Sequence, residues 1–506
     1  NLNRVIVSSC TPRTHEPLFR NTLREAGLNP YLFEMANIRD QCSWVHAHQP
    51  DQATEKAKNL VRMAVAKARR LAPLYKIKVD INHSALVIGG GLSGLTAALA
   101  IAEQGFEVHL VERERELGGH LRRIRFMLDG EDPQEKLASL IERVKGNDLV
   151  QIYQEMEVAN IEGSLGNFKT TLAPVNCDPA RGNGKTNVEI EHGVVIVATG
   201  AEEYKPVEYL WGKDERILTQ LEFEEKLASG EKPEAETVVM IQCVGSRDEK
   251  RPYCSRVCCS HAVKNALKLK EINPAAEVFI LTRDVRTYGF SEAWYKRARE
   301  SGIIFLRYND DEKPKVFIDE GHPKVSFEDS LLKKMMVLEP DLIVLSAAIV
   351  PRTGNIELAK KLKIALTQEN FFLEAHIKLR PSDFSAEGFF MAGLAHSPKT
   401  IAESITQGQA VAARAATIIS KDKYEAEATI ATVNEDICAA CGVCVSICEY
   451  DALEVVERLD GTRVSKLNEV LCKGCGACGA ACPRSAIEQK GFNTEQVLAM
   501  VDAALA

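Results

Sequence analysis

The chain has no surplus of positive charge. Its 63 Lys and Arg stand against 71 Asp and Glu, a net charge of -8, which speaks against the basic footprint of a nucleic-acid-binding protein. It shows no charged n-region followed by an apolar h-region. Residues 1–9 (Asn-Leu-Asn-Arg-Val-Ile-Val-Ser-Ser) read as the inside of a βα unit, so no secretory leader is expected. One charge-free stretch approaches bilayer length, residues 85–102, but its four glycines gather near the middle with a Ser and a Thr. A strand, a tight turn and a buried helix explain it better than a membrane span, and a soluble protein is expected. A small disulfide scaffold is excluded as well, because 15 cysteines among 506 residues is too sparse.

What is present is an ordinary globular composition, 45% hydrophobic and 26% charged, at a length suited to roughly three or four domains. The cysteines are unevenly placed: eight lie between Cys438 and Cys482, four between Cys243 and Cys259, and Cys10, Cys42 and Cys177 stand apart. Such clustering reads as metal ligation in a reducing compartment, so a cytoplasmic location is expected.

Residues 1–52 alternate short apolar runs with turn residues, as a small α/β domain would. A helix is expected over 53–74, with Leu60, Met63, Ala64, Ala68 and Leu71 at helical spacing and Lys56, Lys58, Arg62, Lys67, Arg69 and Arg70 on the other face. That face reads as solvated, or as a dock for an acidic partner. Residues 77–82 and 420–427 read as linkers. Strand 85–88, helix 92–104 and strand 108–111 form a βαβ unit, with later apolar strands at 194–198 and 342–346. Between these, strand 237–242, helix 262–270 and strand 277–282 start a second α/β unit, so the chain is expected to leave one sheet, build another and return.

Ile88-Gly89-Gly90-Gly91-Leu92-Ser93-Gly94 carries Gly-x-Gly-x-x-Gly after a strand and opening a helix. Gly89 permits the turn, Gly91 lets backbone approach a pyrophosphate, and Gly94 lets helix and strand pack closely. Glu112 ends the next strand, 23 residues after Gly89, where a carboxylate binds ribose hydroxyls. Leu117-Gly118-Gly119-His120, Ala198-Thr199-Gly200 and Phe389–Gly393 before a long helix favour FAD over NAD. Together they resemble the thioredoxin-reductase-like flavoproteins over residues 84–415. One departure is Leu394, where that family usually has Asp after Gly393.

In such reductases the inserted domain has its own glycine turn for NADPH. Here the strand is followed by Cys243-Val244-Gly245-Ser246-Arg247, and Cys243, Cys254, Cys258 and Cys259 gather within 17 residues. Four thiolates can hold a [4Fe–4S] cluster, and the end of that strand is where α/β sheets place ligands. A redox disulfide or buried structural thiols are the alternatives.

Cys438-x2-Cys441-x2-Cys444-x3-Cys448 and Cys472-x2-Cys475-x2-Cys478-x3-Cys482-Pro483 are the bacterial ferredoxin run, twice, at a 34-residue repeat. Ligation is crossed in two-cluster ferredoxins, which assigns Cys438, Cys441, Cys444 and Cys482 to one [4Fe–4S] cluster and Cys472, Cys475, Cys478 and Cys448 to the other. Glu449 stands where the second run has Pro483. Zinc is the alternative, but all-cysteine zinc sites use separated pairs.

The whole set resembles the A subunit of heterodisulfide reductase, an iron–sulfur flavoprotein family. The likeness includes Ser9-Cys10-Thr11-Pro12-Arg13-Thr14-His15-Glu16-Pro17 and Asn37-Ile38-Arg39-Asp40-Gln41-Cys42-Ser43-Trp44. The resemblance implies an α/β fold: a thioredoxin-reductase-like flavoprotein with two dinucleotide-binding-type domains, a C-terminal α+β two-cluster ferredoxin domain and a small N-terminal α/β domain. The expected segments are 1–52, a partial cluster-associated domain; 53–83, helix and linker; 84–236 and 339–420, the FAD domain; 237–338, the inserted cluster-bearing unit; 429–490, the ferredoxin domain; and 491–506, a helix. It further implies that Cys10 and Cys42 belong to an N-terminal [4Fe–4S] cluster whose other ligands are missing from this chain, and that Lys264 sits near the flavin. Many members insert a ferredoxin domain where this chain has residues 176–187, with Cys177 an inert surface thiol.

FAD, which handles electron pairs, beside clusters that carry single electrons makes a two-to-one converter. The resemblance implies flavin-based bifurcation or confurcation in a cytoplasmic, anaerobic multi-subunit complex. Its expected partners are heterodisulfide-reductase-like B and C subunits, hydrogenase- or dehydrogenase-linked subunits and ferredoxin, with the complex dimeric and neither nucleic acid nor a membrane span involved. The alternatives are a self-contained NAD(P)H or ferredoxin oxidoreductase, against which the missing second glycine turn argues, a non-bifurcating relay, and a redox sensor, for which no binding module is visible.

Overall fold

Five consecutive residues, Ser84–Ile88, are buried along their whole length, as a strand covered on both faces must be. In the computed structural model, which describes residues 2–175, 186–230, 235–309 and 311–506, this strand is the centre of a parallel five-stranded sheet. Its order is Phe389–Met391, Val194–Val197, Ser84–Ile88, Glu107–Glu112, Val150–Gln154. Helix Leu92–Ala102, almost entirely buried, packs against helix Ile401–Ile419. Most of residues 176–187, with Cys177, lie outside the described residues.

A second parallel sheet runs Ile217–Thr219, Leu342–Ala347, Thr237–Val244, Glu277–Thr282, Ile304–Arg307. The period-2 geometry of strand 237–244 divides its side chains. Val238 and Met240 pack with Phe223, Ala262 and Val263 under helices Gln220–Ala228 and Cys258–Ile272. Val239 and Ile241 pack with Val325 and Phe327 of a three-stranded antiparallel sheet over 315–338. The antiparallel ribbon Ala201–Glu203 with Ile349–Pro351 marks where the chain passes between the two sheets.

Strand 342–347 therefore belongs to the second sheet, not to the first as expected; the return to the first sheet is made by Phe389–Met391. An apolar run says that a strand is buried but not which neighbour it pairs with. The two expected linkers are also strands, since Ile77–Asp80 pairs antiparallel with Lys423–Ala426. Their alternating charges resemble a solvated connector, yet Ile77 and Val79 are half-buried.

The chain divides into two units, one of residues Ile81–Asp422 and one joining residues up to Asp80 with Lys423–Ala506. In the latter, parallel strands Val5–Ser9 and Phe33–Asn37 lie beside helix Pro50–Ala68, which packs on the C-terminal helix Thr494–Leu505. This helix is shorter than expected, starting at a proline, which suits a first turn. Its Lys67 is not on a solvated face: it is buried, 2.8 Å from Glu34 and 3.6 Å over the Phe492 ring. Among the described residues no helix is long and apolar enough to cross a membrane.

Candidate flavin cavity and iron–sulfur sites

At the turn after Ser84–Ile88, a Cβ on Gly89 would stand 2.4 Å from Ala198 O and one on Gly94 only 1.8 Å from Gly89 O. Neither position accepts a side chain. Gly91 has nothing within 4 Å of its Cβ position, and its open side faces a cavity of about 1830 Å3. That volume exceeds a drug-sized pocket and suits an extended dinucleotide. Leu92, Ser93, Gly119 and His120 also line it, as do Thr199 and Gly200. Gly94 packs beneath the turn instead. Gly393 (φ +71°) donates its N–H to Gln407 Oε1, with its Cβ position 2.2 Å from Ser93 Oγ.

Glu112 is buried at the cavity edge. Its Oε2 accepts the Gly90 N–H at 2.6 Å and its Oε1 the Glu114 N–H at 2.8 Å, which fixes the carboxylate. His120 Nε2 lies 2.6 Å from Ala201 O, and burial holds the imidazole below its usual pKa, so it is neutral. Thr199 Oγ1 is buried with no hydrogen-bond partner among the described residues. A glycine cradle, an oriented carboxylate and the buried Thr199 hydroxyl on one large cavity fit FAD.

The second sheet offers no equivalent cradle. After strand Thr237–Val244, a Cβ on Gly245 would meet the Tyr204 ring at 2.3 Å, and Arg251 stacks on that ring at 4.3 Å. Instead, Cys243 sits at an irregularity of the strand with φ +61°, while Cys258 and Cys259 open a helix and are buried. The four thiols act on one another. Burial first and then Cys259 push Cys243 up to about 11, Cys258 is raised, and its hydrogen bond to Cys259 brings the latter down to about 7.

An arginine collar surrounds them. Arg247 stands beside Cys243 and meets Asp284 at 2.5 Å, Arg286 also reaches Asp284, and the backbone N–H of Arg256 donates to Cys254 Sγ at 3.3 Å. Four thiolates with cationic and N–H donors suit a [4Fe–4S] cluster, whose charge is negative. Cys258 also lines the large cavity.

In the C-terminal lobe the two runs interleave. Cys438, Cys441, Cys444 and Cys482 surround one small cavity, and Cys448, Cys472, Cys475 and Cys478 another. Each fourth cysteine thus joins the other run's three, as the crossed ligation of dicluster ferredoxins requires. Sulfur acceptors are met by backbone donors: Ala452 N–H to Cys448 at 3.3 Å, Ala486 N–H to Cys482 at 3.2 Å, and Ser465 N–H to Cys438 at 3.4 Å. Among the described residues no three His, Cys, Asp or Glu side chains converge as ligands of a single ion; a four-iron cluster holds its sulfurs farther apart.

Cys10 follows strand Val5–Ser9, where Arg39 donates to its Sγ at 2.8 Å. Cys42 is buried and donates to Ala53 O at 2.9 Å. Lys264 is buried and lines the large cavity; its Nζ donates to Glu224 Oε1 at 2.7 Å and Phe126 O at 3.0 Å. His261 Nε2 lies 2.6 Å from Glu224 Oε2. Burial raises Glu224, but His261 and Lys264 outweigh it and hold the carboxylate at about 2. Nothing in the sequence marked Glu224, which lies 40 residues before Lys264 with no motif joining them.

Comparison with known proteins follows the same division. A family profile described as "NAD(P)-binding Rossmann-like domain" matches residues 87–155, and one described as "4Fe-4S dicluster domain" matches 437–486. The chain is 39% identical to the second iron–sulfur A subunit of CoB–CoM heterodisulfide reductase from Methanopyrus kandleri over 599 aligned positions, covering 100% of this chain and 90% of that one. It is 36% identical to the A subunit of the H2:CoB–CoM heterodisulfide,ferredoxin reductase of Methanothermobacter thermautotrophicus, covering 100% and 88%. Among solved structures, a thioredoxin reductase of Lactococcus lactis aligns at a TM-score of 0.47 and 18% identity, over 67% of this chain and 99% of that one.

Proposed function

The chain belongs to the family of heterodisulfide reductase A subunits and is an iron–sulfur flavoprotein oxidoreductase; from that premise we propose that it is the electron-transfer component of a cytoplasmic multi-subunit complex, exchanging electron pairs at FAD for single electrons on [4Fe–4S] clusters by bifurcation or confurcation. The observation that carries this is the shared cavity. Gly91 of the dinucleotide turn, Cys258 of the cysteine tetrad and Lys264 all line it, so the residues that would hold FAD and those that would hold the cluster open on one space. Bound FAD supplies two-electron chemistry. The chain holds it at Gly89–Gly94 and Glu112, and Lys264, neutralised by Glu224, places an ammonium at the cavity wall.

The inserted unit holds one cluster on Cys243, Cys254, Cys258 and Cys259, and the ferredoxin lobe holds two. Cys10 and Cys42 would need ligands from elsewhere to hold a further one. Partners are ferredoxin and subunits carrying the terminal chemistry. Both relatives are named as one subunit of a reductase, and the name of the second includes ferredoxin, which supports that choice. A self-contained NAD(P)H oxidoreductase is disfavoured because the Tyr204 ring lies over the Gly245 backbone, where such a cofactor would approach.

Redox titration of the reconstituted chain tests the reading. Strongly crossed one-electron flavin potentials are expected; ordered, closely spaced potentials would leave a simple relay, and bleaching by NAD(P)H would restore the self-contained enzyme. Native purification with mass spectrometry of associated chains tests the complex, and a monomer without stable partners would sink it.

A further inference from the structure

The large cavity is lined by a buried lysine, Lys264, and a half-buried one, Lys399, and they are wired differently. Lys264 ends on Glu224, whose side chain is 0% exposed and is also engaged by His261, so that network is closed. Lys399, which also lines the cavity, immediately precedes Thr400, the N-cap of helix Ile401–Ile419. Its Nζ donates to Ser397 Oγ at 2.6 Å and to His396 Nδ1 at 3.1 Å. His396 Nε2 lies 2.9 Å from Glu374 Oε2, and that side chain is 13% exposed.

The tautomer follows from the partners. Gln407 Oε1 accepts the Gly393 N–H, so its Nε2 faces His396 Nδ1, at 3.1 Å. Nδ1 thus accepts from both Lys399 and Gln407, and Nε2–H donates to the Glu374 carboxylate. The hydrogen bonds run in one direction from cavity to surface.

We propose that Lys399, His396 and Glu374 form a proton relay between solvent and the cavity, with Lys399 exchanging the proton that accompanies electron transfer. The proposal rests on the reading that the cavity holds FAD. Bound FAD that receives two electrons from iron–sulfur carriers gains one proton (FAD + 2e− + H+ → FADH−). Lys399 gives up an ammonium proton and is left as a neutral amine. That amine has gained a lone pair that an Nδ1–H can meet; the imidazole turns to its other tautomer, its single ring proton going from Nε2 to Nδ1 and the Gln407 N–H giving up Nδ1, with Nδ1–H toward Lys399 and Nε2 toward Glu374. A proton taken from solvent by Glu374 passes to Nε2 while Nδ1–H passes to the amine, restoring the starting state. One proton enters per electron pair, and oxidation runs the path backwards.

The surroundings suit a lysine that changes charge. Burial first, and then the Arg256 cation, bring Lys399 down to about 8, with Glu403 and Glu374 opposing. His396 is lowered by burial and by Lys399. Arg256 is itself held by Glu403 at 2.5 Å and by the Pro398 carbonyl at 2.9 Å.

The test uses the full chain with bound FAD and follows flavin absorbance. At equilibrium, each proton taken up per two electrons moves the midpoint by about 30 mV per pH unit. Because reduction adds negative charge beside Lys399, the wild type should steepen from one such proton to two near pH 8, where its surroundings place the Lys399 ammonium. Lys399→Arg keeps the charge but cannot release it, so its slope should stay at one proton throughout; a profile identical to wild type overturns the proposal. His396→Gln and Glu374→Gln should keep the flavin and slow its reduction at least about tenfold, with free imidazole restoring His396→Gln. Unchanged rates and no solvent isotope effect in both variants would overturn the path. Failure of the wild-type chain to retain FAD would instead sink the flavin reading beneath it.

Discussion

The chain surrounds sulfur tetrads in two ways. In the ferredoxin lobe each tetrad is built from three cysteines of one short run and the fourth of the other, each run turned by its own positive-φ glycine (Gly442 or Gly476, φ +75° and +79°) and met by backbone N–H donors. In the inserted unit the tetrad is spread over a strand end, a loop and a helix start, and its counter-charges are arginine side chains from two loops, Arg247 and Arg286, with one backbone N–H from Arg256. The first design carries its environment in its own backbone and is therefore repeatable. The second borrows a dinucleotide-binding scaffold and depends on distant side chains for charge balance. The difference teaches where each site is vulnerable: ligands in one, collar in the other.

The largest effects should come from removing ligands. Cys482→Ser should abolish the cluster of Cys438, Cys441 and Cys444 while sparing that of Cys472, Cys475 and Cys478, lowering iron by about four atoms per chain; Cys448→Ser should do the reverse. Iron analysis with electron paramagnetic resonance reads both. Loss of the same cluster in both variants would contradict the interleaving. Cys258→Ser should remove the inserted cluster and leave both ferredoxin signals intact; a loss spreading to the ferredoxin signals would break the contrast between the two designs.

Acid should separate the regions next. Glu224, on helix Gln220–Ala228 against the second sheet, is held at about 2 against an ordinary 4.5. Its folded pKa is depressed, so its stabilisation is complete above about pH 4.5 and is lost as pH falls toward 2. The full loss is about 3 kcal/mol. Glu224→Gln should be less stable than wild type at neutral pH and should lack this acid-dependent decline in denaturant midpoint. The lowered carboxylate of the ferredoxin lobe, Asp460, is fully exposed, and its replacement should hardly change the acid profile.

A smaller effect tests the collar itself. Arg247→Gln removes a cation from beside Cys243. The more negative reduced cluster loses support, so its potential should fall by roughly 60 mV, the equivalent of about 1.4 kcal/mol for one electron. The ferredoxin potentials should not move, and a shift common to all clusters would show that net charge, not the collar, was acting.

Legibility in the sequence follows the same divide. The ferredoxin runs and the turn Gly89–Gly94 could be read directly, because their residues recur at fixed short spacings and the crossed fourth ligand follows from the repeat. The cysteine tetrad could be read as a count and a place, but not its arginines. The strand Leu342–Ala347 was legible as a strand and not as a member of the second sheet, since pairing is decided by tertiary neighbours. Glu224 and the path from Lys399 to Glu374 left no trace, because their partners are joined only by folding, at separations of 40 and 22 residues. Lys67 was misread for the opposite reason: helical spacing put it on a charged face, and only the C-terminal segment, with Phe492, covers it.

The finest distinction lies within the ferredoxin lobe. Its two sites repeat cysteine for cysteine, yet Ser465 serves one of them alone: it is 1% exposed, its Oγ lies 3.1 Å from Cys444 Sγ and its N–H 3.4 Å from Cys438 Sγ. A hydroxyl donating to a thiolate stabilises the reduced, more negative cluster. Ser465→Ala removes that donor and leaves the N–H in place, so the Cys438 site should fall by roughly 20 mV, matching about 0.5 kcal/mol for a single neutral donor. The Cys472 site should stay where it is. If both sites moved equally, the substitution would be acting through lobe packing and the two halves would be electrostatically equivalent; if neither moved, backbone donors alone would set the potential, and the contrast with the arginine-dependent inserted site would be sharper still.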